Sequence, residues 1–185
     1  MPARRPPEAA GDPVPAAPGS DAAARAGLPR RNKIPESVLV VIHTPDLQVL
    51  LLERADHPGF WQSVTGSKDS PAEALEETCR REVLEETGLD TAAFRLIDLR
   101  LTNRYEIFTH WRHRYAEGVT HNTEHVFALE VPVAQPVTIA PREHLRYEWL
   151  PWQQAAPRCF SWSNVQAIEV VARRRHAAGA GAPAG

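Results

Sequence analysis

Glu82, Glu85 and Glu86 stand three and four residues apart in the segment Arg81-Glu82-Val83-Leu84-Glu85-Glu86-Thr87-Gly88-Leu89. At 3.6 residues per turn their side chains share one helix face. Like charges at this spacing destabilise a helix by roughly 0.2–0.5 kcal/mol per pair. A solvated acidic face would bear that cost for no return, whereas a hard divalent cation reverses its sign. Magnesium takes an octahedron of oxygens at about 2.0–2.1 Å and usually shares it with substrate phosphates. The chemistry these residues suit is metal-assisted attack on a phosphate anhydride, with Mg2+, or Mn2+ in its place, held by Glu82 and Glu86. Glu85 is then a further ligand or a partner to one.

The helix that must carry them has its own signals. Leu75, Cys79 and Val83 repeat every fourth residue on another face and predict a buried stripe. Ser70 suits an N-cap, Pro71 the first helical position and Glu73 the third, a capping box that starts the helix at 71. Glu73 is therefore a candidate for capping as much as for catalysis. Gly88 suits a left-handed stop, so the predicted helix runs over 71–87. Around it, 38–43 reads as a buried strand with 48–54 as its hairpin partner, and 61–65 as a short strand into Gly66. Further strands are expected over 95–101, 112–115, 124–131 and 146–150. A last helix should follow Ser161-Trp162-Ser163-Asn164, with Val165, Ile168 and Ala172 on one stripe. Strands on both sides of one helix followed by a second helix indicate an α/β layered fold.

The acidic segment resembles the signature of the Nudix family: Gly, five residues, Glu, seven residues, Arg-Glu-aliphatic-any-Glu-Glu-any-Gly-aliphatic. Every fixed position from Glu73 to Leu89 matches, but six residues rather than five separate Gly66 from Glu73. The extra residue falls in 67–72, a loop, where insertions are tolerated. The resemblance implies an α/β/α sandwich with a mixed sheet between helices.

Flanking segments narrow it. Phe60-Trp61-Gln62-Ser63-Val64-Thr65-Gly66-Ser67, Glu106-Ile107-Phe108, His113-Arg114-Tyr115, Gly118-Val119-Thr120 and the run from Ser161 to Glu169 are similar to the branch of the family that acts on dihydroneopterin triphosphate in folate biosynthesis. Similarity covers about 33–171. It implies hydrolysis to dihydroneopterin monophosphate and pyrophosphate, and it adds Glu143, in Arg142-Glu143-His144-Leu145, as a metal ligand that could orient or deprotonate the water. Glu82, Glu85, Glu86 and Glu143 are thus the candidate catalytic residues, with the proton acceptor open among Glu85, Glu86 and Glu143. The resemblance places Lys33, Arg54, Thr65, Tyr105, Glu106, Ile107, Phe108 and Ser161 at the substrate. Arg81, beside Glu82, is expected to order the glutamates through ion pairs, and Trp61 and Trp162 to fill core. Two alternatives remain: a general nucleoside triphosphate pyrophosphatase acting on dATP, and a binding module that keeps the fold without catalysis.

Composition bounds the rest. Eight of the seventeen prolines precede Ser37, among Ala, Gly and Arg, so a disordered arm is expected over 1–32, one folded domain over 33–175 and a low-complexity tail over 176–185. The arm has arginines but no apolar stretch after them, so no secretory signal is expected. A net charge of −2 offers no basic field for nucleic acid. Two cysteines give neither a disulfide framework nor zinc spacing. No apolar run reaches membrane-spanning length, and a cytosolic enzyme with a small-molecule pterin or nucleoside triphosphate as its partner is the simplest expectation. His110 and His113 are expected in a basic strand.

Overall fold

The β-branched run after Pro35 becomes the centre of a sheet, and every other element is arranged around it. The computed structural model describes residues 32–180, with side chains through 178. Apart from Asn32, the expected N-terminal arm lies outside the described residues. Strand β1 (Glu36–His43) is buried at every position after the first, as expected of a strand covered on both faces. It runs parallel to β6 (His121–Glu130) from Glu36↔Thr123 to His43↔Glu130. It runs antiparallel to β4 (Val64–Ser67) from Ser37↔Ser67 to Val40↔Val64.

The predicted hairpin with β2 (Gln48–Arg54) forms at its turn, where Thr44 and Gln48 exchange hydrogen bonds. Its register is confined to His43↔Val49. Beyond that pair β2 leaves β1 and takes β7 (His144–Pro151) and the short β3 (Trp61–Gln62) as partners. Strand β5 (Arg95–Glu106) pairs antiparallel with β6. The result is a mixed seven-stranded sheet in the order β3-β2-β1-β6-β5, with β4 on β1 and β7 on β2. Where β2 departs from β1, the ends of β2, β4 and β7 converge, and Arg54 comes opposite His144.

Strand alternation sorts the core into two layers. Val38, Val40, Ile42, Phe127 and Leu129 face Cys79 and Val83 of α1 (Leu75–Thr87). Leu39, Val41, Val126 and Ala128 face Ala155 and Ala156 of α2 (Trp152–Arg158) and Ala167, Ile168, Val171 and Ala172 of α3 (Trp162–Ala180). Each fully buried Val or Leu contributes about 1.5–3 kcal/mol, so both helix stripes read from the sequence are held by packing. The α/β/α sandwich with a mixed sheet is the observed fold.

Several local expectations are corrected. Helix α1 begins at Leu75, not 71. Ser70 does accept a bond from the Glu73 N–H, at 3.1 Å, but this closes a turn. Ala74, extended at φ −70° and ψ 149°, is the N-cap, and Glu77 reaches back to its N–H at 3.0 Å. Ser70 and Glu73 cap only this turn, the Glu73 carboxyl accepting the Asp69 N–H while also pairing with Arg81 at 3.0 Å. Gly88 ends the helix as expected, at φ 71°, its N–H donating to the Leu84 carbonyl. The segment expected as a strand over 112–115 is instead a 3-10 helix, Thr109–Arg114, followed by a bridge between Tyr115 and Lys33. His110 and His113 belong to that turn. Helix α3 continues to Ala180, past the boundary drawn at 175. No described helix is long and apolar enough to cross a membrane.

Candidate active site

Helix α1 presents its carboxylates to the converging strand ends, and Arg81 organises them. Its guanidinium reaches Glu82 at 2.7 Å, Glu73 at 3.0 Å, Asp69 at 3.3 Å and Glu85 at 3.6 Å, and donates to the Ser67 carbonyl at 2.8 Å. The ion-pairing expected of Arg81 is thus present. Through it the loop with the extra residue is tied to the helix, and Glu73 serves as an anchor for Arg81. Glu82 is buried against Gly66, whose missing side chain leaves room for the Glu82 carboxyl. Glu85 is exposed.

Glu86, 1 % exposed, meets His144 of β7 at 2.9 Å. One ligand-type atom from each of Glu86, Glu143 and His144 lies within 4.8 Å of the others. Glu82 is not in that group. Beside it, Arg54 donates to Gln62 at 3.0 Å and grips Asp56 with two bonds, at 2.8 and 2.6 Å, and Gln62 donates to Thr65 at 3.2 Å. The structure therefore brings together Glu86, Glu143, Arg54 and Thr65, all singled out in the sequence, and adds His144 and Gln62.

Electrostatics set the character of this cluster. Burial, and then the Glu86 charge, push the Glu82 carboxyl up to about 8. Burial, and then Glu143, push Glu86 well above the usual carboxylate range. Burial lowers the His144 imidazole to about 4. The hydrogen bond between Glu86 and His144 thus joins two groups that both favour the neutral form. A divalent cation inverts this logic, stabilising the carboxylates and releasing their protons. The donor set, two carboxylates and one imidazole with Glu82 on the same helix nearby, fits such an ion.

A second polar group lies on the sheet face under α3. Tyr105 and Ser161 are buried there. Ser161 accepts bonds from the N–H and the side chain of Asn164, at 3.3 and 2.8 Å, and Asn164 in turn accepts the Ser63 N–H at 2.7 Å. The Lys33 N–H donates to the Arg114 carbonyl at 2.8 Å, in the bridge of Lys33 with Tyr115. Ile107 is buried. Glu106 alternates to the other side of β5, is exposed and pairs with Arg112, so the structure does not bring its side chain to this group. Phe108 stacks on His110, with ring centroids 5.6 Å apart, and meets Trp111 edge-on. Trp61 is core, flanked by Arg146 and Arg158 at 5.2 and 4.5 Å from its ring. A surface groove of about 530 Å³, lined by Pro45, Phe94, Arg95 and Glu130 among others, carries none of the candidate residues.

Glu124 also belongs to this second group, and burial pushes its carboxyl up to about 7. A native-state value above the unfolded one means the folded protein binds the proton more tightly. Stability therefore falls as pH rises from about 4.5 to about 7, by on the order of 3 kcal/mol in full. Glu124→Gln is expected to remove that slope, leaving the variant more stable than the parent above pH 7 in denaturant melts. An unchanged pH profile would contradict this.

Sequence reasoning missed His144, Gln62, Asn122 and Glu124. His144 follows Glu143 directly, but a lone histidine carries no ligand spacing. Asn122 and Glu124 are polar residues at or near a strand start, which reads as a solvent-facing edge.

The fold and the carboxylate helix define a class, and comparison with known proteins agrees: residues 33–171 match the family model of the NUDIX domain. The chain belongs to the Nudix family, whose members typically use a divalent metal. It is 49 % identical over 140 residues to the dihydroneopterin triphosphate diphosphatase of Escherichia coli (strain K12), covering 74 % of this chain and 91 % of that one. The enzyme of the same name from Haemophilus influenzae is 40 % identical over 137 residues, covering 72 % and 85 %. The solved structure of the E. coli dihydroneopterin triphosphate pyrophosphohydrolase superposes with a TM-score of 0.68 at 48 % identity, over 75 % of this chain and 94 % of that one.

Proposed function

We propose that this protein hydrolyses dihydroneopterin triphosphate to dihydroneopterin monophosphate and pyrophosphate, in folate biosynthesis, with Mg2+ at the α1 carboxylates. The observation that carries the reading is the convergence of Glu86, Glu143 and His144 beside Arg54 and Thr65. It is supported by near-half identity, over most of the chain, to enzymes named for that substrate.

Glu82, Glu86 and Glu143 would hold Mg2+, or Mn2+ in its place, which when bound would supply charge neutralisation at the phosphates and make the attacking water easier to deprotonate. The protein's own groups do the positioning on which phosphoryl transfer depends. Arg54, steered by Asp56 and Gln62, places its positive charge at the phosphates, with Lys33 and Thr65 as further contacts. Arg81 holds Glu82 and Glu85 in place and keeps the loop over 67–72 closed on the helix. The water oxygen bonds to phosphorus, and the bond from that phosphorus to the oxygen bridging the first and second phosphates breaks. Pyrophosphate leaves with the bridging oxygen. The water's proton passes to a carboxylate of the set Glu85, Glu86 and Glu143. Tyr105, Ile107, Phe108 and Ser161 border the ring.

The test compares kcat/KM for dihydroneopterin triphosphate and dATP at equal Mg2+. A clear preference for the pterin is expected. Preference for dATP would replace the reading with a general nucleotide pyrophosphatase. Binding without pyrophosphate release would replace it with a non-catalytic module.

A further inference from the structure

The sheet face under α3 is apolar through Leu39, Val41, Val126 and Ala128, then changes character towards the start of β1. There Ser37, Asn103, Tyr105, Asn122 and Glu124 are buried, beneath Ser161, Ser163 and Asn164 at the start of α3. Strand register makes this a continuous patch: Glu124 lies opposite Ser37 on one side and Asn103 on the other, and Tyr105 opposite Asn122. Buried polar groups are stable only when hydrogen-bonded, and here the bonding is incomplete. Asn122 donates through Nδ2 to Ser37 at 2.7 Å and to the Tyr105 hydroxyl at 2.9 Å, which leaves its Oδ1 buried without a partner. The Ser63 hydroxyl is likewise buried and unpartnered. Glu124, 1 % exposed, accepts a bond from Asn103 at 3.2 Å and one from the Ser163 side chain, with no cation opposite its carboxyl among the described residues.

A purely structural patch would be better served by apolar residues, because a buried carboxyl without a cation opposite it costs stability. The carboxyl of Glu124 and the Oδ1 of Asn122 are both acceptors. They sit two residues apart on one strand, hence on one face. Their natural complement is a flat edge with several adjacent N–H donors. The amino-oxo pyrimidine edge of a pterin is such an edge: its ring N3–H and exocyclic amino group offer three N–H bonds side by side. Guanine carries the same edge. Adenine offers an amino group beside a ring nitrogen lone pair, which a carboxylate repels.

We infer that Glu124 and Asn122 are the specificity-determining residues of the ring pocket, the Glu124 carboxylate accepting from ring N3–H and the amino group, and Asn122 Oδ1 taking the remaining amino hydrogen. This rests on the function proposed above. It adds a selection rule, that the site reads the amino-oxo edge and not merely a flat ring. Tyr105 is the most exposed of the eight patch residues named above, at 8 %, and its withdrawal from Asn122 admits the ring.

Two measurements test it. In the wild-type protein, dGTP and dITP differ only by the 2-amino group, so kcat/KM is expected to favour dGTP at least about 10-fold, since hydrogen bonds to a charged group carry roughly 1.5–3 kcal/mol. Equal values would overturn the inference without any variant. Glu124→Gln, whose amide presents a donor to the N–H edge, is expected to lower the ratio of kcat/KM for dGTP over dATP by at least about 10-fold, mainly through KM. It should lower that for dihydroneopterin triphosphate over dATP equally. A proportional loss on all three substrates would assign Glu124 a structural role and overturn it. Failure of the wild type to hydrolyse the pterin triphosphate would sink the proposed function, while the comparisons of dGTP with dITP and dATP would still decide the role of Glu124.

Discussion

Glu86→Gln is expected to lower kcat by about three orders of magnitude while leaving the fold intact. Glu86 is almost wholly buried and bonded to His144 at 2.9 Å. Glutamine has the same shape and can keep that hydrogen bond. What it removes is a charge, and with it an anionic oxygen for the cation. Metal ions supply several kcal/mol of charge stabilisation in the transition state, and each 1.36 kcal/mol is tenfold in rate. Stability should move the other way. Burial and Glu143 both disfavour a charge at this position, so a neutral isostere is expected to melt at the same temperature or higher. Added Mg2+ should raise the melting temperature of the parent by mass action and raise that of the variant less. Near-normal turnover in the variant would mean that the metal site has been assigned to the wrong carboxylates.

The parts of this site that are local in sequence could be read from it. The shared face of Glu82, Glu85 and Glu86, the Cys79 and Val83 stripe and the Gly88 stop all follow from helical period and backbone preference, and all are observed. What lay beyond reach was set by partners distant along the chain. The start of α1 is the exception, a local competition in which Ser70 and Glu73 close a turn of their own and Ala74 with Glu77 caps the helix instead. His144 was missed because its partner, Glu86, is 58 residues away. The expected hairpin of β1 and β2 is longer than the observed one because the turn is local, while the exchange of β2 for β4 along β1 is a property of the sheet. Over 112–115 the basic and aromatic residues suggest a strand, yet extended pairing is limited to the single bridge of Tyr115 with Lys33, and the residues before it coil into a 3-10 turn.

The same distinction separates the two kinds of glutamate in the protein. Those on α1 crowd one helix face at three- and four-residue spacing, so their shared chemistry shows in the sequence. Glu124 sits in a strand whose polar start looks like ordinary alternation, and only the register opposite Ser37 and Asn103 shows that it is buried. Its desolvation is a cost the fold carries for a binding surface. This is why the residue proposed to select the ring is also the one whose neutralisation is expected to stabilise the protein above pH 7.

Gly66→Ala is expected to disable the enzyme more than it destabilises the fold. A Cβ at Gly66 would lie 1.8 Å from Glu82 Cδ, 2.0 Å from its Oε1 and 2.2 Å from its Cγ, distances no real contact tolerates. The β4 backbone cannot yield, because it is paired with β1 through Val38↔Gly66 and Leu39↔Thr65. The Glu82 side chain must therefore move. It is itself buried and tied to Arg81 at 2.7 Å, so its displacement pulls on the contacts that Arg81 makes with Glu73 and the Ser67 carbonyl. Overpacking of this kind costs about 1–3 kcal/mol, which a folded domain of this size can survive. Loss of an aligned carboxylate is expected to cut kcat/KM at least about 100-fold, comparable to removing one preorganised electrostatic group. The measurement is kcat/KM across a Mg2+ titration, alongside a thermal melt. A variant that folds, saturates at a higher Mg2+ concentration and turns over slowly fits displacement of Glu82. A variant with parental kcat/KM at ordinary Mg2+ would mean that the position of Glu82 does not matter to the reaction.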